Sequence, residues 1–107
     1  MAIPRRLFGP AALTNAAADT YTVPAARRCN VRQIHVVNTS AVDVPFTASV
    51  GADAPATRIA DAKVVPAHDY IDLFFNPLEL VAAEKIQAFG GTTLVLTMTI
   101  MGEEELI

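Results

Sequence analysis

Residues 84–101 read EKIQAFGGTTLVLTMTIM, and this stretch decides the fold class. From Leu94 to Met101 the apolar side chains recur at every second position, which is the period of a β-strand with one buried face. Residues 84–89 predict a shorter strand, and the Gly90-Gly91-Thr92-Thr93 segment between the two is typical of a tight hairpin turn. The stretch therefore indicates antiparallel β-structure.

The same pattern extends outward along the chain. Strands are predicted over residues 19–24, 29–38, 44–50 and 69–75, with shorter ones over 57–60 and 78–80, and Pro, Gly, Asn and Asp separate them. Within 29–38, Ile34 and Val36 share one face while Val31 falls on the other, which predicts either a β-bulge or burial on both sides. Seven or eight short strands in one chain predict an all-β, antiparallel β-sandwich, of which the jelly roll is one form.

The two ends differ from this body. Residues 1–12 are expected to form an extended N-terminal arm, because Pro4, Gly9 and Pro10 disfavour regular structure. The arm either folds over its own sheet or reaches onto a neighbour. Residues 13–102 form the sandwich domain, and residues 103–107 form an acidic tail. A basic arm and an acidic tail suit contacts between copies in a homo-oligomer. The predicted assembly contacts are Ile3, Arg5, Arg6, Leu7 and Phe8 in the arm, and Glu103, Glu104, Glu105, Leu106 and Ile107 in the tail.

Composition narrows the class of protein. The chain has 107 residues, enough for one domain, and its net charge of −3 argues against a nucleic-acid-binding surface. No signal peptide is recognisable, and no apolar run is long enough to cross a membrane. We therefore expect a protein that is made in the cytoplasm and contacts neither nucleic acid nor membrane.

The sequence carries no recognisable catalytic or metal-binding motif, so no enzyme activity, metal or cofactor is expected. Cys29 is the only cysteine, and its place in an apolar strand predicts a buried structural thiol. His35 and His68 stand alone, which disfavours a small cupin-like metalloenzyme. Asp69 and Asp72 lie on opposite faces of a regular strand, so they do not form a carboxylate pair.

A glycan-binding adhesion module is the alternative function. Flat polar β faces bind glycans, and four hydroxyl side chains are expected to face outward: Thr47, Ser49, Thr97 and Thr99. Tyr70 and Phe74 share one face of their strand with Asp72. They form a contact patch if that face is exposed and ordinary packing if it is the core, and packing is the favoured interpretation.

Two segments, YTVPA at residues 21–25 and VRQIHVVNTS at residues 31–40, carry a resemblance. They resemble a turn and strand of small β-sandwich proteins encoded by tailed bacteriophages. The later pieces VPAHDYIDLF (65–74) and PLELVAAEKIQAF (77–89) and the final stretch are similar to the second half of those proteins. The chain departs from the pattern at Ala26-Arg27, where a glycine is usual, so the first turn is expected to be built differently.

This resemblance covers about residues 20–101 and consists of turn and strand patterns. It implies a virion component that is added to the capsid or tail surface, with major capsid or tail proteins as partners. It carries no functional residues to transfer. The expected function is therefore a structural accessory protein of a bacteriophage virion, made in the host cytoplasm and located in the virion.

Overall fold

The structure is a computed structural model that describes residues 3–106, with side chains from residue 5 onward. Within that range the chain forms eight strands and one turn of 3-10 helix, Pro55–Thr57. The strands are β1 Ile3–Ala12, β2 Ala18–Thr22, β3 Arg27–Asn38, β4 Val44–Val50, β5 Arg58–Val65, β6 Tyr70–Leu80, β7 Lys85–Gly90 and β8 Leu96–Leu106.

The strands form two four-stranded antiparallel sheets that pack face to face. The long sheet has the order β1-β8-β3-β6, and the short sheet has the order β2-β7-β4-β5. The first strand thus pairs with the last, the second with the seventh, the third with the sixth and the fourth with the fifth. This is the connectivity of a jelly roll. The predicted β-sandwich is confirmed, and it takes the jelly-roll form.

Alternate residues of both sheets fill the core between them. Phe46, Ile34, Ile86 and Ile100 are each fully buried there. Cys29 is also fully buried and free, as its position in an apolar strand predicted. The register of β3 shifts between Val31 and Gln33 against both of its neighbours. The change of parity in this strand is therefore a β-bulge, one of the two predicted explanations.

The prediction of a hairpin at Gly90-Gly91 is wrong. Strand β7 belongs to the short sheet and β8 to the long sheet, so the segment between them crosses from one sheet to the other. Its amide groups bond to residues distant in the sequence: Gly90 N–H donates to Thr14 O in a loop, and Gly91 N–H donates to Pro45 O in β4. A Cβ on Gly91 would lie 2.7 Å from Pro45 Cγ. Close approach to Pro45, rather than a two-residue turn, explains this glycine.

The two chain ends are parts of the sandwich. Residues 3–12 form β1, which pairs with β8 at one edge of the long sheet. The expectation that Pro4, Gly9 and Pro10 prevent regular structure is wrong for the strand as a whole, because proline is tolerated in edge strands and at bulges. Gly9 and Pro10 do lie where the register of β1 shifts, between Phe8 and Ala11. The acidic residues 103–105 lie within β8. Of the two alternatives for the arm, the described residues follow the first and fold onto their own domain.

A further expectation from the sequence is wrong. Thr47 and Ser49 are buried rather than outward-facing, at 4% and 0% exposure. Both hydroxyls bond locally, since Thr47 Oγ1 accepts from Ala62 N–H and Ser49 Oγ donates to Asp53.

The turn after β2 contains no glycine. Ala26 adopts the left-handed conformation there, with φ at 60°. The expectation that this turn is built differently from that of the phage β-sandwich proteins stays a prediction.

Candidate interaction surface

The predicted basic arm and acidic tail meet within one chain. We call this cluster the acidic end: Glu103, Glu104 and Glu105 of β8 with Arg5 of β1 and Arg27, Arg28 and Arg32 of β3. Arg32 Nε lies 2.6 Å from Glu103 Oε1, and Arg28 Nε donates to Glu105 Oε1 over 2.8 Å. These pairs form because β1 and β3 flank β8 on its two sides. A role of the same residues in contacts between copies stays a prediction.

Glu104 connects the two sheets at this end. Its side chain is only 9% exposed, and its Oε1 lies 3.6 Å from Arg5 Nη1 and 3.7 Å from Arg27 Nη1. The hydroxyl of Tyr21, on β2 of the short sheet, donates to Glu104 Oε2. Burial raises the pKa of Tyr21 far above its usual value, and the hydrogen bond to Glu104 adds to this rise. The tyrosine is thus held as a neutral donor to a mostly buried carboxylate.

The other predicted contact residues of β1 divide between core and surface. Leu7 and Phe8 are half-buried and pack against the core, whereas Arg6 is exposed. No carboxylate among the described residues pairs with Arg6. Leu106 is exposed at the end of β8. The side chain of Ile3 and the whole of Ile107 lie outside the described residues.

Tyr70 and Phe74 lie on the solvent side of the long sheet. Tyr70 is 56% exposed and Phe74 is 73% exposed, so the packing interpretation is wrong and this face of β6 is exposed. The contact role of these two residues stays a prediction. Their strand, β6, is an edge strand whose odd-numbered residues Ile71, Leu73 and Phe75 turn toward the core. The even-numbered residues therefore face solvent.

Asp72 lies between these two aromatic side chains and is bonded to the neighbouring strand β3. Gln33 Nε2 donates to Asp72 Oδ1 over 2.8 Å, and His35 Nδ1 lies 2.6 Å from the same oxygen. Partial burial raises the pKa of Asp72, but the hydrogen bonds from His35 and Gln33 outweigh it and hold that pKa below its usual value. The His35 ring also lies 5.2 Å from the Tyr70 ring, centroid to centroid. An ionised carboxylate is therefore fixed between the two aromatic rings.

The long sheet contains two register shifts close to Phe74. The register of β1 shifts between Arg6 and Phe8, and that of β3 shifts between Val31 and Gln33, both opposite residues 100–102 of β8. Bulges bend a strand and redirect its side chains. Gly102 allows the close approach at these shifts, because a Cβ there would lie 2.1 Å from Asn30 O.

An open groove of about 680 Å³ lies beside these register shifts. Three arginines and one glutamate are among the residues that line it. The lining residues are Arg5, Arg6, Arg32, Gln33, Met101, Gly102 and Glu103. We call it the arginine groove. Because Arg6 has no carboxylate partner among the described residues, the groove carries a surplus of positive charge.

The two exposed aromatic residues of β6, Tyr70 and Phe74, and the arginine groove form one continuous surface. Four residues lie opposite one another across the four strands: Phe74, Gln33, Met101 and Arg6. In the adjacent row Thr99 lies opposite His35, and His35 opposite Asp72. We call this surface the outer face: Arg6, Gln33, His35, Tyr70, Asp72, Phe74, Thr97, Thr99 and Met101.

Sequence reasoning treated the members of the outer face separately. The signal that joins them was present in part, since Gln33 and His35 have one parity on β3, and Tyr70, Asp72 and Phe74 have one parity on β6. What the sequence lacked was the pairing of β3 with β6, which lie more than thirty residues apart. His68, by contrast, is exposed in the turn before β6, where its amide donates to Ser40 O.

Within residues 3–106, no three His, Cys, Asp or Glu side chains come together as a metal site would require. The described residues also include no helix long and apolar enough to cross a membrane. No protein-family model matches the chain, and no curated protein is similar to it. The resemblance to phage β-sandwich proteins therefore stays a prediction from the sequence motifs.

Proposed function

We propose that this chain is a structural accessory protein of a bacteriophage virion that acts without enzyme chemistry. The outer face supports the proposal most strongly, because exposed aromatic and arginine side chains are enriched where proteins dock. The resemblance of residues 21–40 and 65–89 to phage β-sandwich proteins supplies the context. The chain docks onto a major capsid or tail protein through this face, in several copies per particle, after synthesis in the host cytoplasm.

The architecture suits such a role. The described parts of both chain ends are paired into the long sheet, and ion pairs hold them at the acidic end. Few loose backbone segments remain for proteases to enter.

Mass spectrometry of purified virions tests this proposal directly. We expect the protein in the particles at a fixed ratio to the major capsid or tail protein. Particles assembled with Phe74→Asp should lose it, while particles assembled with Val64→Asp should keep it. Val64 is a matched control, since it is also an exposed apolar residue but lies on the short sheet. Absence of the wild-type protein from virions would overturn the proposal.

A glycan-binding adhesion module is the second candidate. One observation favours it: the ionised Asp72 lies between two exposed aromatic side chains on the outer face of the long sheet. Aromatic rings offer apolar platforms, and a fixed carboxylate offers hydrogen-bond acceptors to hydroxyl groups. An array of immobilised oligosaccharides tests this function, and the absence of any bound glycan would exclude it.

A further inference from the structure

We propose that the outer face binds an acidic oligosaccharide, with sugar rings on Tyr70 and Phe74 and an anionic substituent in the arginine groove. This inference rests on the second candidate function and names its ligand class and its residues. It gives the outer face a different occupant from the capsid or tail protein of the first proposal, so one copy cannot use the face for both at once.

The two aromatic platforms have a spacing that suits a chain of sugars. Tyr70 and Phe74 are four residues apart on a regular part of β6, so they are separated by about 13 Å. Both side chains are more than half exposed and contribute little to the core. Exposed aromatic side chains in a row on one face present flat apolar surfaces, which match the C–H faces of pyranose rings.

The polar groups between the platforms match hydroxyl groups. Only Oδ1 of Asp72 is used by hydrogen bonds among the described residues, so Oδ2 is left as an acceptor for a sugar hydroxyl. Thr97 and Thr99 lie on β8 opposite Val37 and His35, and no hydrogen bond of the described residues uses their hydroxyls. Hydroxyl groups both donate and accept, so they complement sugars better than they complement a purely apolar partner.

The arginine groove accounts for the expected preference for acidic over neutral oligosaccharides. Arg6 lies three strand spacings from Phe74 in the same row, a distance of about 14 Å. Its guanidinium has no carboxylate partner among the described residues, and it suits a carboxylate or a phosphate through paired hydrogen bonds. A glycan bound obliquely across the sheet thus contacts the aromatic rings with one part and the Arg6 guanidinium with its far end.

Asp72 argues against the two other anionic polymers. An acidic peptide or a single-stranded nucleic acid carries a negative charge at nearly every unit, and the ionised Asp72 repels a charge placed between the two rings. An acidic oligosaccharide avoids this repulsion, because it presents hydroxyls at Asp72 and its acid group at Arg6. Charge complementarity along the face therefore favours the sugar over these two polymers.

The test begins with the full-length protein on an array of neutral, uronic-acid-bearing and phosphate-bearing bacterial oligosaccharides. We expect binding to acidic members and weaker binding to neutral ones, and the two acidic groups distinguish a carboxylate from a phosphate. The bound glycan is then titrated calorimetrically against variants whose folding is checked by thermal unfolding. Hexaglutamate and oligothymidylate are titrated in parallel.

The variants assign the site. Tyr70→Ala and Phe74→Ala should each lower the affinity for the acidic glycan by about tenfold. Arg6→Glu should lower the affinity for the acidic glycan by at least about tenfold and leave the affinity for any neutral glycan unchanged. The matched controls are Val64→Ala and Lys63→Glu, exposed residues of β5 that receive the same changes, and they should stay within about twofold of wild type.

Each failure has a separate meaning. No binding on the array overturns both this inference and the glycan function. Binding that survives the Tyr70, Phe74 and Arg6 variants overturns the site while the glycan function stands. Equal binding of neutral glycans, or tighter binding of hexaglutamate or oligothymidylate, overturns the acidic-sugar assignment.

Discussion

The acidic end and the outer face lie on the same sheet but use their side chains in different ways. At the acidic end, Glu103, Glu104 and Glu105 each pair with arginines of the same chain. On the outer face, Tyr70 and Phe74 are uncovered, and Arg6 has no carboxylate partner among the described residues. Groups that are satisfied within the chain stabilise the fold, whereas unsatisfied groups on a rigid face are free to bind. Replacing one aromatic residue at a time separates these two roles.

The largest expected contrast is between two phenylalanines. Phe46 is fully buried, so Phe46→Ala should lower the free energy of unfolding by about 3–5 kcal/mol. Phe74 is 73% exposed, so Phe74→Ala should change it by less than about 0.5 kcal/mol. Urea denaturation followed by circular dichroism measures both. A large loss in Phe74→Ala would show that the outer face is structural.

The two tyrosines provide the next contrast. Tyr21→Phe removes the donor to Glu104, a carboxylate that is 9% exposed, and should cost about 1.5–3 kcal/mol of unfolding free energy. Tyr70→Phe is the matched control, since no hydrogen bond of the described residues uses its hydroxyl, and it should stay within about 0.5 kcal/mol of wild type. Equal losses in the two variants would contradict the distinction between the acidic end and the outer face.

Alkaline pH should weaken the acidic end selectively. The folded-state pKa of Tyr21 is raised by burial and then by Glu104, so its stabilising contribution is complete below the unfolded-state pKa of about 10. Above that pH the unfolded chain loses this proton while the folded chain keeps it, and stability falls. Thermal unfolding of wild type and Tyr21→Phe across this range should show the difference between them shrinking as pH rises. A difference independent of pH would contradict the buried neutral tyrosine.

The smallest effect is expected for Arg28→Ala. The Arg28 and Glu105 side chains are 48% and 33% exposed, and water screens such pairs strongly. The loss in melting temperature should be smaller than for Tyr21→Phe and should disappear in about 1 M NaCl, where the Debye length is about 3 Å. A loss that persists at this salt concentration would indicate packing of the arginine stem instead of charge.

Local patterns predicted the strands because a strand has one buried face. Alternation identified β4 over 44–50 with the bounds that the structure has, although Thr47 and Ser49 on its other face are buried as well. The parity change at Val31 predicted either a bulge or burial on both sides, and the structure has the bulge. The ends were harder to predict. Pro4 and Pro10 are poor strand residues in general, but proline is tolerated in edge strands and at bulges, and Pro10 lies at a register shift of the edge strand β1.

The candidate site was only half predictable. Sequence spacing placed Tyr70, Asp72 and Phe74 on one face of β6, but it left open whether that face was core or surface. Whether that face is buried depends on which strands pack against β6, and those strands are distant from it in the sequence. The same holds for Asp72 and His35, which the pairing of β3 with β6 brings together.

The stretch 84–101 separates what each level determines. By itself the sequence determined that this stretch forms strands and which side of β8 is buried, because alternation is a local property of the chain. Only the tertiary structure decided that Gly90-Gly91 connects two sheets instead of two paired strands. Strand pairing depends on which partners complete the core and satisfy the backbone bonds, and here those partners are β1 and β3 for β8, and β2 and β4 for β7.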